Sequence, residues 1–220
     1  MVIPQTGCKV NVWRLQSDGI LIQMHATAPA IITSLIPFNP RRFDMVMSYL
    51  VQGIYDRPLT LFEMIKHHVM ADVFHVLDHG HQIIGGDLQP WKWGPVVKPA
   101  YSRLKKWEHG LEKKEKSQPA EYEITPGEYT AFMPRIAFEP DDIAPSEEQA
   151  INNAANLLKP MSFDTAYHFF HDNSTFMGRA YNAAKAQDDR SLAWTEIIAA
   201  YDAIHRTDHS QIMRRLISYG

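Results

Sequence analysis

Apolar side chains recur along this chain with two periods, and the change from one to the other divides it. Between residues 8 and 24 two short β-prone runs, KVNVWRL and ILIQM, flank the turn-forming cluster Ser17-Asp18-Gly19. That order predicts a hairpin. From residue 39 the spacing becomes helical. Asn39-Pro40 reads as an N-cap with proline at the first helical position, and Phe43, Val46, Met47 and Leu50 carry one apolar face toward Gly53, predicting a helix over 40–53. Thr60 and Glu63 form a capping-box pattern that opens a long helix over 61–79, closed by Gly80. A third helix is expected from Val96 to about Gly110, with Pro95 holding its first turn.

The segment EYEITPGEYTAFMPRIAF offers two β-prone runs around Pro126-Gly127, read as a small hairpin flap in which Pro134 marks an edge strand. Ser146 and Gln149 repeat the capping-box pattern ahead of a stripe of Ile151, Ala154, Ala155 and Leu158. Helices over about 162–171, 175–186, 192–204 and 209–218 complete the chain. The expected architecture is therefore mainly α: a compact helical domain over 39–220 with a small β-hairpin, preceded by a short N-terminal extension over 1–38.

Composition narrows the classes. A chain of 220 residues, 45% hydrophobic and 21% charged, is long enough to bury a core and lies outside the disordered class. Its formal net charge of -3 gives no footprint for nucleic acid. Five lysines against three glutamates between Lys105 and Lys116 read as a solvated helix end, and QIMRRLISYG is the one basic helix that a nucleic-acid-binding regulator could use. The single cysteine, Cys8, excludes an internal disulfide framework and points to the cytoplasm. The uncharged stretch ILIQMHATAPAIITSLIPF is interrupted by Gln23, His25, Pro29 and Pro37, so it reads as a core-packed segment rather than a membrane span.

Candidate chemistry concentrates on the second helix, which carries His67, His68, Asp72, His75, Asp78 and His79. His68, Asp72, His75 and His79 share one sector, yet a rise of about 1.5 Å per residue separates the first from the last by roughly 16 Å, too far for one ion. A metal-dependent hydrolase would need Asp72 and His75 together with His168 and His171 from HFFHDN, two ligands from each of two helices. The competing reading makes these side chains structural, with Asp72 orienting a neighbouring histidine, and it is preferred because neither H-E-x-x-H nor a cysteine partner is present. GHQIIGGD has the G-x-x-x-x-G spacing of a phosphate loop, but Gly86-Asp87 stands where Lys-Ser/Thr is required. There is no G-x-S-x-G and no G-x-G-x-x-G. No cofactor is expected.

The run LTLFEMIKHHVMADVFHVLDHGHQIIGGDLQPWKWGPVVKPAY resembles the signature region of the Panacea domain, the SocA-like antitoxin family of toxin–antitoxin systems. Lys66, Ala71, Asp72 and His75 match the family's K-L-L-Y-x-A-D-x-x-H-like helix, and Gly80 matches its closing glycine. Gly86-Asp87 match a Gly-Asp step; Gly94, Pro95, Val96 and Tyr101 match a Gly-Pro-Val motif ahead of a helix with a tyrosine. Further on, MSFDTAYHFFHDNSTFMGRAY resembles the family's serine-to-histidine segment, with His171 at the histidine position. His67 and His68 depart from the pattern, standing where leucines are usual. The resemblance covers about 39–205. It implies a helical binding protein, not an enzyme, whose partner is a cognate protein toxin encoded by a neighbouring gene, with a homodimer as a further assembly to test.

Within PWKWGPVVKPAY the expected partner-binding residues are Trp91, Lys92, Trp93, Gly94, Pro95, Val96, Lys98 and Tyr101. Tryptophan and tyrosine bury large areas at modest entropic cost, which suits them to binding hot spots. One tryptophan is expected to pack inward and the other to form a recognition face with Lys92, Lys98 and Tyr101. The alternative keeps both in the core.

Overall fold

Capping chemistry sets where the helices begin. In the computed structural model, which describes residues 9–15, 21–27, 36–112, 119–137, 139–187 and 191–218, helix α1 spans Pro40–Tyr49, and the Asn39 side chain accepts from the Arg42 amide at 3.1 Å. Helix α2 spans Leu61–His79 with both halves of the capping box formed: Thr60 Oγ1 accepts from the Glu63 amide and Glu63 Oε2 from the Thr60 amide. Gly80 ends α2 in the left-handed conformation, φ 79°. The first helix does not stop at Gly53. Its last turn widens into a π-helical segment, Leu50–Tyr55, terminated by Asp56 at φ 51°, so the chain carries past the glycine.

The fold is mainly α. Helices α3 (Lys98–Glu112), α4 (Pro145–Leu158), α5 (Phe163–His171), α6 (Phe176–Ala186), α7 (Trp194–His205) and α8 (Ser210–Ser218) follow in order. Helix α2 is the axis of the core: from Met64 to Val73 every residue is buried, the pattern of a helix covered on all sides. Helix α4 lies against it with Ile151, Ala154, Ala155 and Leu158 buried, as the stripe requires. The start of α4 departs from expectation, because Pro145 already occupies the first turn and the Glu147 carboxylate accepts from the Ala144 amide at 2.8 Å. Ser146 is thus inside the helix and is not its cap.

Three small antiparallel sheets accompany the helices. Strands β1 (Lys9–Leu15) and β2 (Leu21–Thr27) pair as the expected N-terminal hairpin, while the Ser17-Asp18-Gly19 turn lies outside the described residues. Strands β4 (Leu88–Trp91) and β5 (Gly94–Val97) form a second hairpin. Strands β6 (Tyr122–Thr125) and β7 (Ala131–Pro134) form the expected flap, but β3 (Leu59–Thr60) pairs with the other side of β7, making β7 central. Pro134 is tolerated there because β3 pairs only with Ala131 and Phe132 and ends before reaching it. No described helix is long and apolar enough to cross a membrane.

Candidate partner-binding site

The lower half of α2 holds an internal anion. Asp72 is fully buried, and its carboxylate accepts from the backbone amides of Ile83 and Ile84 at 2.8 Å and Gly85 at 2.9 Å, and from Gln82 Nε2 at 3.1 Å. The G-x-x-x-x-G loop therefore does cradle an anion with its amides, and that anion is the chain's own carboxylate. Its glycines are required: a Cβ on Gly85, at φ 87°, would lie 2.5 Å from the Pro37 carbonyl oxygen, and one on Gly86 would lie 2.6 Å from Val97 Cγ1. Residues 36–38, the end of the extension, pack directly on this loop, with the Gly86 amide donating to Ile36 O at 2.9 Å. His75 donates through Nδ1 to His81 O at 2.7 Å, and burial holds its pKa below the usual imidazole range. Asp87, beside the loop, is exposed.

The Gly-Pro-Val motif lies in strand β5, not in a helix. Trp91 pairs with Gly94 across a two-residue turn made by Lys92 and Trp93, and α3 begins only at Lys98, where Pro99 serves the first turn that was expected of Pro95. Gly94 adopts φ 88°, and a Cβ there would meet Phe170 at 2.8 Å and Lys66 Nζ at 3.0 Å. The Pro95 carbonyl accepts from Lys66 Nζ at 2.8 Å. Glycine supplies the approach and proline's carbonyl the acceptor, so the motif locks α2 and α5 onto the hairpin.

The eight residues expected to meet a partner therefore separate. Gly94, Pro95 and Val96 are buried. Trp91 is half-buried, edge-on to Tyr101 at 5.0 Å, and its indole donates to Gln89 Oε1. Lys92, Trp93 and Lys98 are exposed. Trp93, 50% exposed on the turn, packs toward α5 instead of Tyr101, with ring centroids 5.7 Å from Phe163 and 5.9 Å from Tyr167, and Lys92 Nζ rides 4.8 Å above it. His171 supports this arrangement from below: its Nδ1 donates to Tyr167 O at 2.6 Å and its ring stacks on Tyr167 at 4.1 Å.

Asp72, His75, His168 and His171 do not assemble into a metal centre, and no group of three or more His, Cys, Asp or Glu side chains among the described residues could hold an ion. Asp72 is consumed by the loop, and His168 is exposed on α5. His67 and His68 fill leucine positions as buried side chains. His68 sits edge-on to Phe43 and bonds Gly85 O; His67 donates through Nδ1 to Glu63 O and accepts at Nε2 from the Tyr55 hydroxyl.

Two exposed aromatics escaped the sequence reading. Phe163, 49% exposed, and Tyr129, 71% exposed, line a cleft of about 390 Å³ between the start of α2, the end of α4 and the start of α5. Phe163 follows the Ser162 N-cap, where a side chain has no preceding helical turn to cover it, and Tyr129 lies just past the Pro-Gly turn and before β7 begins at Ala131. Those positions were the available signals. At the rim Arg57 pairs with Glu63 at 2.6 Å; burial pushes the Glu63 carboxyl up, but Arg57 and the Thr60 amide outweigh it and bring it below the usual range. Burial lowers His67 to about 4, raises Tyr55 to about 12 and depresses the Lys66 amine well below its ordinary value.

A family model described as Antitoxin SocA-like, Panacea domain matches residues 65–175, half of the chain and the span from just before Lys66 to beyond His171. Neither a search of curated proteins nor one of solved structures returns a match.

Proposed function

Because this chain belongs to the SocA-like Panacea-domain antitoxin family, we propose that it neutralises a cognate protein toxin, encoded by a neighbouring gene, by direct binding and occlusion. The observation that supports this reading is the concentration of exposed large apolar side chains on one face. Trp93, Phe163 and Tyr129 are the large hydrophobics that stand out to solvent among the described residues, Trp93 touches Phe163, and Phe163 shares a cleft with Tyr129. A monomeric protein gains nothing by exposing such a group, whereas an interface uses aromatic anchors surrounded by a polar rim. Lys92, Arg57 and Lys159 supply that rim. The face is preorganised, since the turn bearing Trp93 is tied through Gly94, Pro95 and Lys66 to the core. Covering an active surface on the toxin takes on the order of 1,600 Å² of total buried area, more than the aromatic group alone provides, so the contact extends beyond it.

The test is co-expression of the neighbouring reading frame with this chain. Growth arrest when the chain is omitted, and rescue when it is supplied, is the expected outcome. Trp93→Ser and Phe163→Ser together are expected to restore arrest while leaving thermal unfolding unchanged. Full rescue by that double variant would overturn the docking face.

A further inference from the structure

Lys66 lines the cleft and is 2% exposed, and its amine is undersupplied with partners. One hydrogen goes to Pro95 O at 2.8 Å; the remaining neighbours are the ring faces of Phe170 at 4.8 Å and Phe62 at 5.3 Å. No carboxylate among the described residues pairs with it. Glu63, the acid that lines the same cleft, is already held by Arg57 at 2.6 Å and by the Thr60 amide at 2.8 Å. Lys159, also lining the cleft, bonds Ile54 O and lies over Tyr55, so it adds a cation without cancelling one. Positive groups at this cleft outnumber negative ones. Its walls, Phe62, Phe163, Met161 and Leu158, are apolar. A buried amine with unused hydrogens on a residue that lines a cleft with apolar and basic walls is the complement of a carboxylate beside an apolar group.

We propose that this cleft receives an acidic side chain, flanked by an apolar one, from the toxin, and that Lys66 pairs with its carboxylate. The assignment rests on the reading that the toxin docks on the adjoining Trp93–Phe163 face. Burial disfavours the charged amine and an arriving carboxylate favours it, so the pair is an ammonium with a carboxylate in a site where few waters compete. The Pro95 carbonyl and the two rings then hold the ammonium in place. The same contact links the anchor to the Gly-Pro-Val hairpin, and so to Trp93.

The cleft can be tested on the full chain with peptides. The probes are N-acetyl-Phe-Glu-amide, its isostere N-acetyl-Phe-Gln-amide, and N-acetyl-Gln-Phe with a free C-terminal carboxylate, titrated while the lysine side-chain signals are followed by NMR. The Lys66 signal is the one missing from Lys66→Met. The Glu peptide is expected to bind about tenfold or more tighter than the Gln peptide, as a charge-assisted pair should, and to move Lys66 toward the charged amine. Lys66→Met should erase the preference while remaining folded. Equal affinity of the two peptides, a preference that survives in Lys66→Met, or no binding of either at ~10 mM overturns the proposal. Binding of the free-terminus peptide as tight as that of the Glu peptide overturns the assignment to a side chain. Neutralisation separates this inference from the reading beneath it. If Lys66→Met rescues growth fully while Trp93→Ser with Phe163→Ser does not, the docking face stands and the acidic anchor falls. If the aromatic double variant rescues fully, the docking face falls, and with it the toxin as the source of the acid.

Discussion

Lys66 and Asp72 stand six residues apart on one helix, both inside the core, and they are treated in opposite ways. The carboxylate of Asp72 is saturated: three backbone amides and the Gln82 side chain converge on it, and His68 Nε2 lies 3.5 Å away. The amine of Lys66 has one carbonyl and two ring faces. Burying an ion costs several kcal/mol unless its hydrogen-bonding capacity is met from within. Where the chain meets it completely, the group is architecture; where it leaves the capacity open beside a cleft, the group is poised for something that arrives later. The difference separates two buried positions of α2 into a fastening and a site.

The sharpest way to break that contrast is to remove the saturated partner. Asp72→Ala leaves three buried amides facing a void in a loop whose glycines adopt positive φ. A loss of about 3–5 kcal/mol in guanidinium unfolding is expected, enough to abolish most of the folded population of a marginal domain. Acidification is the next largest effect. Burial keeps His67 neutral in the fold, outweighing the bond from its Nδ1 to Glu63 O, which favours the charged ring, while its Nε2 accepts from Tyr55. Its folded pKa of about 4 lies below the ordinary imidazole value of about 6.5, so the unfolded chain binds the proton first. Stability is therefore intact above about pH 6.5 and falls as pH drops toward 4, by on the order of 3 kcal/mol from this residue. Unfolding midpoints measured across that window in His67→Leu, which restores an apolar side chain, should be flatter than in the parent.

How much of this was legible beforehand depended on whether the signal was local. Asn39-Pro40, Thr60 with Glu63, and Gly80 act within one turn, and the helices began or ended where those residues stand. The hairpin of Leu88–Trp91 with Gly94–Val97 was missed because a proline before an apolar run also suits a helix start; only the positive φ of Gly94 and the pairing of Trp91 with it decide between them. The fate of Asp72 was half visible: an orienting role was expected, but that the carboxylate would be gripped by loop amides eleven to thirteen residues on depended on how the loop folded back. The metal reading failed for the same reason, since shared helix sector says nothing about which backbone reaches the site first. Phe163 and Tyr129 form one face with Trp93 only in three dimensions.

Lys66→Met inverts the usual expectation for a buried charge. Replacing an undersupplied amine with an unbranched apolar side chain of similar length removes one hydrogen bond but also the desolvation penalty that depresses the amine. The melting temperature is expected to stay level or rise by a few degrees, roughly what 1 kcal/mol gives a domain of this size, while binding of an acidic peptide is lost. A fall of several degrees would mean that Lys66 is a second fastening, equivalent to Asp72, and the contrast between the two positions would disappear.

The smallest effect is expected at Trp93, and it is informative because Trp91 lies two residues away as an internal control. Trp91 is half-buried against Tyr101 and its indole is hydrogen-bonded, so Trp91→Ala removes packing and should cost about 1–3 kcal/mol. Trp93 is half exposed, two of its contacts, Phe163 and the Lys92 amine, are themselves at the surface, and its third, Tyr167, is only partly covered. Trp93→Ser should shift stability by less than about 0.5 kcal/mol, within the range of ordinary surface substitutions. Two tryptophans flanking one lysine would then differ severalfold in what they contribute to the fold, and in the reverse order in what they contribute to holding a toxin. Paired unfolding and co-expression measurements on the two variants place both on those two axes, and a Trp93→Ser chain that unfolds as readily as Trp91→Ala would return the turn to the core and remove the aromatic face as a place to bind.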